Sequence, residues 1–192
     1  YKPYIGVLTN VAADHMEFFK NKDGLIKQFS SYLNGVDEEG MAIVGWDNPL
    51  CREIAHAIDR PRLTYGFIIG SEVRCIEYHS KEGKTKFKVV VERDLIEGEL
   101  PTIGKHNVNN ALCALAVARA LELPIKDAVA ALATYPGVER RLNELVAGPK
   151  IRVFDDYAHN PGKIAAAITS LKESWPEFDL HVVYQAHRFS RL

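Results

Sequence analysis

The sequence predicts an α/β fold with a mostly parallel central sheet flanked by helices. A small antiparallel hairpin region follows, and then the start of a second α/β unit. Three observations carry this expectation. Short apolar runs alternate with amphipathic helical segments up to about residue 65, the order that builds parallel sheets. At Val73 the pattern changes to two strand-like runs around a polar turn, and Gly148-Pro149 interrupts the chain before a new apolar run.

Ile5 to Leu8 is an apolar run ended by Thr9-Asn10, a buried strand whose C-terminal end opens into a loop over residues 11–21. Leu25, Ile26, Phe29, Tyr32 and Leu33 recur at helical spacing, and Met41 to Val44 reads as the next strand. Pro49 to Ile58 is a helix with proline in its first turn, followed by a strand near Leu63 to Tyr65. Val73 to Tyr78 and Phe87 to Val91 flank Lys81 to Lys84 as a hairpin. Gly104 ends the strand-rich region, Val108 to Leu121 is helical, and Lys126 to Ala133 is its companion. Beyond Pro136-Gly137 the boundary is set at Gly148-Pro149, giving units 1–148 and 149–192. The second unit opens with a strand over Ile151 to Phe154, a helix over Ile164 to Leu171 and a strand over Leu180 to Tyr184, and stops unfinished at Leu192.

Composition removes several classes of function. Of 192 residues, 24 are Lys or Arg and 25 are Asp or Glu, a net charge of -1, so no global positive field attracts nucleic acid or anionic lipid. Any bound phosphate must be gripped locally. Cys51, Cys75 and Cys113 are odd in number and far apart, unlike a disulfide framework or a paired metal site, and they suit a reducing cytoplasm. The longest apolar run, Ala111 to Ala120, contains Arg119 and is far shorter than the roughly 20 residues of a membrane span. Nothing reads as a signal peptide, so a soluble cytoplasmic protein is expected.

Five constellations could carry chemistry. Asp14-His15 follows the first strand, at the sheet edge where α/β proteins place ligands. His15 could bind a metal through a neutral ring nitrogen, although such a pair is more commonly structural. In Gly104-Lys105-His106-Asn107-Val108-Asn109-Asn110, Asn107 and Asn110 share a helix face, and an asparagine amide can pair bidentately with an adenine edge. An ordinary helix cap is the alternative. Glu139-Arg140-Arg141 could grip phosphate, and adjacent carboxylates in Asp155-Asp156-Tyr157-Ala158-His159 leave the tip of a strand. His187-Arg188-Phe189-Ser190-Arg191 supplies cations that could meet a carboxylate. Solvated surface charge is the alternative for each. Gly83-Lys84-Thr85 is not a phosphate-binding P-loop, because the earlier glycine would fall at Tyr78 and no helix follows.

Together, Thr9-Asn10 with Asp14-His15, Gly-x-His-Asn-x-x-Asn at Gly104 to Asn110, Arg140-Arg141, Asp155 to Pro161 and Gln185 to Arg191 resemble the Mur ligases of peptidoglycan synthesis. The last motif favours the branch that joins L-alanine to UDP-N-acetylmuramate. The resemblance implies a nucleotide-binding central domain ending near residue 148 and the start of a Rossmann-like C-terminal domain. It implies ATP and Mg²⁺ as cofactors, UDP-N-acetylmuramate and L-alanine as substrates, and an acyl-phosphate intermediate. By the same resemblance His15 ligates magnesium, and His106, Asn107, Asn110, Arg141 and Asp156 bind the nucleotide. His159, Arg188 and Arg191 would act at the amino-acid or acyl-phosphate side. The family's UDP-binding domain, its P-loop with the catalytic lysine and an acidic magnesium ligand have no counterpart in the sequence. The chain is therefore expected to be part of a longer ligase and inactive alone. Ser30 falls near the place where some sister ligases carry a carbamylated lysine, so that feature is not carried over. A noncatalytic nucleotide-binding module, a murein peptide ligase and a folate polyglutamylating enzyme are the alternatives.

Overall fold

A computed structural model describes residues 2–12, 19 and 21–185. Its main sheet has six strands in sequence order, β1 (Ile5–Leu8), β2 (Met41–Gly45), β3 (Arg62–Gly66), β4 (Val73–Lys81), β5 (Lys84–Val91) and β6 (Asp94–Leu100). The first four strands are mutually parallel, and β4–β5–β6 form an antiparallel meander. The expected mostly parallel sheet with a hairpin region is therefore present, enlarged by β6.

Helices α1 (Lys22–Asn34) and α2 (Pro49–His56) accompany β1 and β2, and α3 (Lys105–Ala120) and α4 (Ile125–Leu132) follow the meander. Strand β2 shows how both faces of the sheet are covered. Ile43 packs with Val108, Leu112 and Leu115 of α3, whereas Ala42 and Val44 join Leu25, Leu33 and Ile54 of α1 and α2. A strand buried on both faces reads as a continuous apolar run, which is why Met41 to Val44 was legible without alternation. Between β4 and β5, Glu82 (φ 49°) and Gly83 (φ 86°) form a two-residue turn with the left-handed backbone that tight hairpins favour.

A second, two-stranded sheet pairs β7 (Asn143–Ala147) with β8 (Arg152–Asp155) antiparallel, so Gly148-Pro149 lies in the turn joining them. Helix α5 (Pro161–Ser174) follows, capped by the Asn160 side chain accepting from the Lys163 amide at 3.0 Å. The expected strand over Leu180 to Tyr184 does not form. Residues 181–185 are exposed, and a strand requires a ladder partner, which this stretch lacks among the described residues. The hairpin tip meets this second region, since Glu82 and Gly83 donate their amides to the Ser174 carbonyl and hydroxyl, each at 3.2 Å. No helix among the described residues is long and apolar enough to cross a membrane.

Candidate nucleotide site

The start of α3 is built on Gly104, whose φ of +95° is a conformation that L side chains rarely adopt. Gly104 makes no side-chain cap. Instead Asn107, from within the first turn, donates its amide Nδ2 to the Ile103 carbonyl at 2.9 Å. The asparagines of this motif are therefore not ordinary N-caps. Asn107 is half-buried, and its amide retains a second proton and its Oδ1. Asn110 is exposed and lines neither of the two cavities described next.

Asn107 and Arg141 line one cavity of about 160 Å³, together with Pro136, Val138, Phe154 and Trp175. A second cavity of about 560 Å³ is bounded by Arg140, Asp155, Asp156, Tyr157 and His159 on one side and by residues 180–185 on another. Leu142 and Phe154 border both. The end of β8 is wrapped around the Arg140-Arg141-Leu142 turn by backbone and side-chain bonds. Tyr157 donates its amide to the Arg140 carbonyl at 2.8 Å. Asp156 accepts from the Leu142 amide through Oδ2 at 2.9 Å and from the Ala158 amide through Oδ1 at 2.6 Å. Each carboxylate oxygen has a further lone pair, so Asp156 both fixes the turn and can still accept from a ligand hydroxyl.

The two arginines are not equivalent. Arg140 Nε lies 3.4 Å from Asp155 Oδ2, and its guanidinium sits 4.9 Å from the Tyr157 ring centroid; that of Arg141 is 6.0 Å away. Tyr157 also meets the His159 ring edge-on at 5.2 Å, and His159 Nδ1 is 2.9 Å from the Tyr157 carbonyl. Arg140 and Tyr157, which lie inside the sequence motifs without an individual role assigned there, are therefore structural members of the site. Adjacent carboxylates followed by an aromatic, opposite adjacent arginines, were the available signal.

His106 points into a different cavity from Asn107, one of about 450 Å³ shared with Asp47, Lys105 and Asn109. Burial pushes its imidazole below the ordinary value of 6.5, the Asp156 carboxylate opposes that, and the Arg141 charge adds to it. The neutral ring is thus favoured at neutral pH. The unfolded chain accepts a proton near 6.5 that the folded chain resists, so stability present above that pH is lost as pH falls through it. His106→Gln is expected to flatten the decline in stability below pH 6.5, read from urea titrations at several pH values.

Five expected residues lie outside the described residues: Asp14 and His15 of the metal expectation, and His187, Arg188 and Arg191 of the last motif. Among the described residues no group of three or more His, Cys, Asp or Glu side chains could hold a metal ion. Asn107, Arg141 and Asp156 are brought to one region of the molecule, His106 faces a separate cavity, and His159 lines the same wall of the second cavity as Asp156.

Residues 1–118 match the Mur ligase middle domain. The chain belongs to the Mur ligase family. It is similar to the UDP-N-acetylmuramate--L-alanine ligase of Desulfotalea psychrophila, 34% identical over 191 residues, which are 98% of this chain and 41% of that relative. Among solved structures it resembles MurF from Acinetobacter baumannii, with a TM-score of 0.80 and 27% identity over 90% of this chain and 38% of that one. The fold also matches MurF ligase from Thermotoga maritima in complex with ADP, with a TM-score of 0.73 and 24% identity over 90% of this chain and 40% of that one. The chain thus spans about two fifths of the length of these relatives.

Proposed function

We propose that these residues are part of an ATP-dependent ligase that joins L-alanine to UDP-N-acetylmuramate in cytoplasmic peptidoglycan precursor synthesis. The observation that carries the reading is the meeting of Asn107 with Arg141 in one cavity, beside a turn fixed by Asp156. The likeness to the Desulfotalea psychrophila alanine ligase supports the choice of substrates. In this reading residues 1–148 are the later part of the central ATP-binding domain, and residues 149–192 begin the Rossmann-like C-terminal domain. The ligands are small molecules, with no nucleic acid or membrane involved.

The residues fit an adenine nucleotide. Asn107 spends one amide proton on Ile103 and keeps the other proton and Oδ1 for an adenine edge, which presents an acceptor and a donor in matching order. Asn110 adds a second amide from solvent. Neutral His106 adds no charge beside the base, Arg141 meets phosphate or ribose, and Asp156 accepts from ribose hydroxyls. Magnesium, held in part by His15, would neutralise charge on the transferring phosphoryl group. The muramyl carboxylate oxygen takes the γ-phosphoryl group, ADP departs, and the alanine amine attacks the acyl carbon. The C–O bond to phosphate breaks, and the nitrogen loses a proton. Arg188 and Arg191 anchor the alanine carboxylate, and His159 orients the amine or accepts its proton.

The test is phosphate release from ATP by the complete ligase with UDP-N-acetylmuramate and a panel of amino acids and dipeptides. Release that requires L-alanine supports the reading. A sister ligase is the second reading, favoured by the 27% identity to MurF, and release that requires a different amine would establish it. No amine-dependent release would leave a noncatalytic nucleotide module.

A further inference from the structure

A buried hydroxyl pair underlies the start of α3. Ser80 on β4 and Thr85 on β5 are register partners, 3% and 0% exposed, with their hydroxyl oxygens 2.8 Å apart. Thr85 donates to the Thr102 carbonyl at 2.8 Å. A hydroxyl has one proton, so in the contact with Ser80 the Thr85 oxygen must accept and Ser80 must donate. Ser80 in turn accepts from the Gly104 amide at 3.2 Å. The result is a chain with one direction, from the Gly104 N–H through Ser80 and Thr85 to the Thr102 carbonyl. Both ends lie in the loop between β6 and α3, on either side of Ile103, whose carbonyl holds Asn107.

We infer that Ser80 and Thr85 are positioning residues for nucleotide binding: they fix the loop that sets the Asn107 amide, without touching the ligand. This rests on the nucleotide reading given above. Directional chains of buried hydrogen bonds restrict a loop to one arrangement, because breaking any link leaves two buried groups unsatisfied. Ser80 belongs to no sequence motif, and Thr85 only to the rejected Gly83-Lys84-Thr85, since serine and threonine in a polar hairpin carry no visible signal of a positioning role.

The experiment compares Thr85→Val, Thr85→Ser and Val129→Ala in the complete ligase. Val129→Ala is a core substitution on α4, which packs on β6 away from this loop, and serves as the stability control. Thr85→Val keeps shape and removes the hydroxyl. It is expected to raise the Kd for ATP roughly five- to tenfold, with the Kd for UDP-N-acetylmuramate unchanged and with faster hydrogen exchange of the Gly104 amide. Thr85→Ser restores both, and Val129→Ala moves neither selectively. Unchanged ATP affinity in Thr85→Val, or a loss matched by Val129→Ala or shared by the UDP-sugar, overturns the inference. Asn107→Ala separates the two failures. If it also leaves ATP binding intact, the nucleotide reading is wrong; if it weakens ATP while Thr85→Val does not, only the positioning role is.

Discussion

Gly104→Ala is expected to destabilise the folded chain by about 2–5 kcal/mol, the largest effect of any single methyl group in this region. Two costs add. The backbone at φ +95° is strained for any residue with a Cβ, by about 1–2 kcal/mol. The added carbon would also lie 2.8 Å from Ser170 Cβ and closer still to Ser170 Oγ, on a helix whose hydroxyl is already bonded to the Ala166 carbonyl. Forcing them apart adds about 1–3 kcal/mol of overpacking. Urea denaturation of the chain checks this. A change under about 0.5 kcal/mol would mean that the loop and α5 are not joined as described. The double substitution Gly104→Ala with Ser170→Gly should recover the steric part and leave the backbone part.

The second large effect is on binding. Asn107→Ala is expected to weaken ATP binding by about 1–3 kcal/mol, roughly 5- to 150-fold in Kd, while UDP-N-acetylmuramate binds as before. The loss combines the adenine contact with the bond to Ile103, so a smaller comparison is informative. Asn110→Ala, at an exposed position, removes an amide without loosening the loop and should weaken ATP in the same direction by less. Isothermal titration with both ligands separates the cases. Equal losses for the two substrates would assign Asn107 to holding the helix start alone.

The legible parts of this fold were those where burial and local geometry agree. Met41 to Val44 reads as a strand because both its faces are covered, and Pro49 reads as a helix start because proline suits the first turn. The strands missed were β6 and β7. Strand β6 carries Asp94, Glu97, Gly98 and Glu99, and every residue of β7 is exposed, so pairing rather than apolar content defines them. The stretch Leu180 to Tyr184 fails in the opposite sense, being mostly apolar but without a ladder among the described residues. At the site, helical spacing placed Asn107 and Asn110 on one face, yet only Asn107 is drawn inward, by the Ile103 carbonyl of a loop that spacing does not describe. Likewise Asp155 and Asp156 look interchangeable in sequence. In the structure Asp155 pairs with Arg140, while Asp156 binds the amides of Leu142 and Ala158. That division depends on a turn contributed from 14 residues away in the chain.

The proposed nucleotide site is formed by the first turn of α3 and the Arg140–Leu142 turn. A crystal structure of the complete ligase with a non-hydrolysable ATP analogue tests it most directly. The adenine edge is expected within hydrogen-bonding distance of the Asn107 amide, with a ribose hydroxyl on Asp156 and Arg141 beside the ribose or phosphates. An analogue bound elsewhere, with Asn107 still bonded only to Ile103, would contradict it.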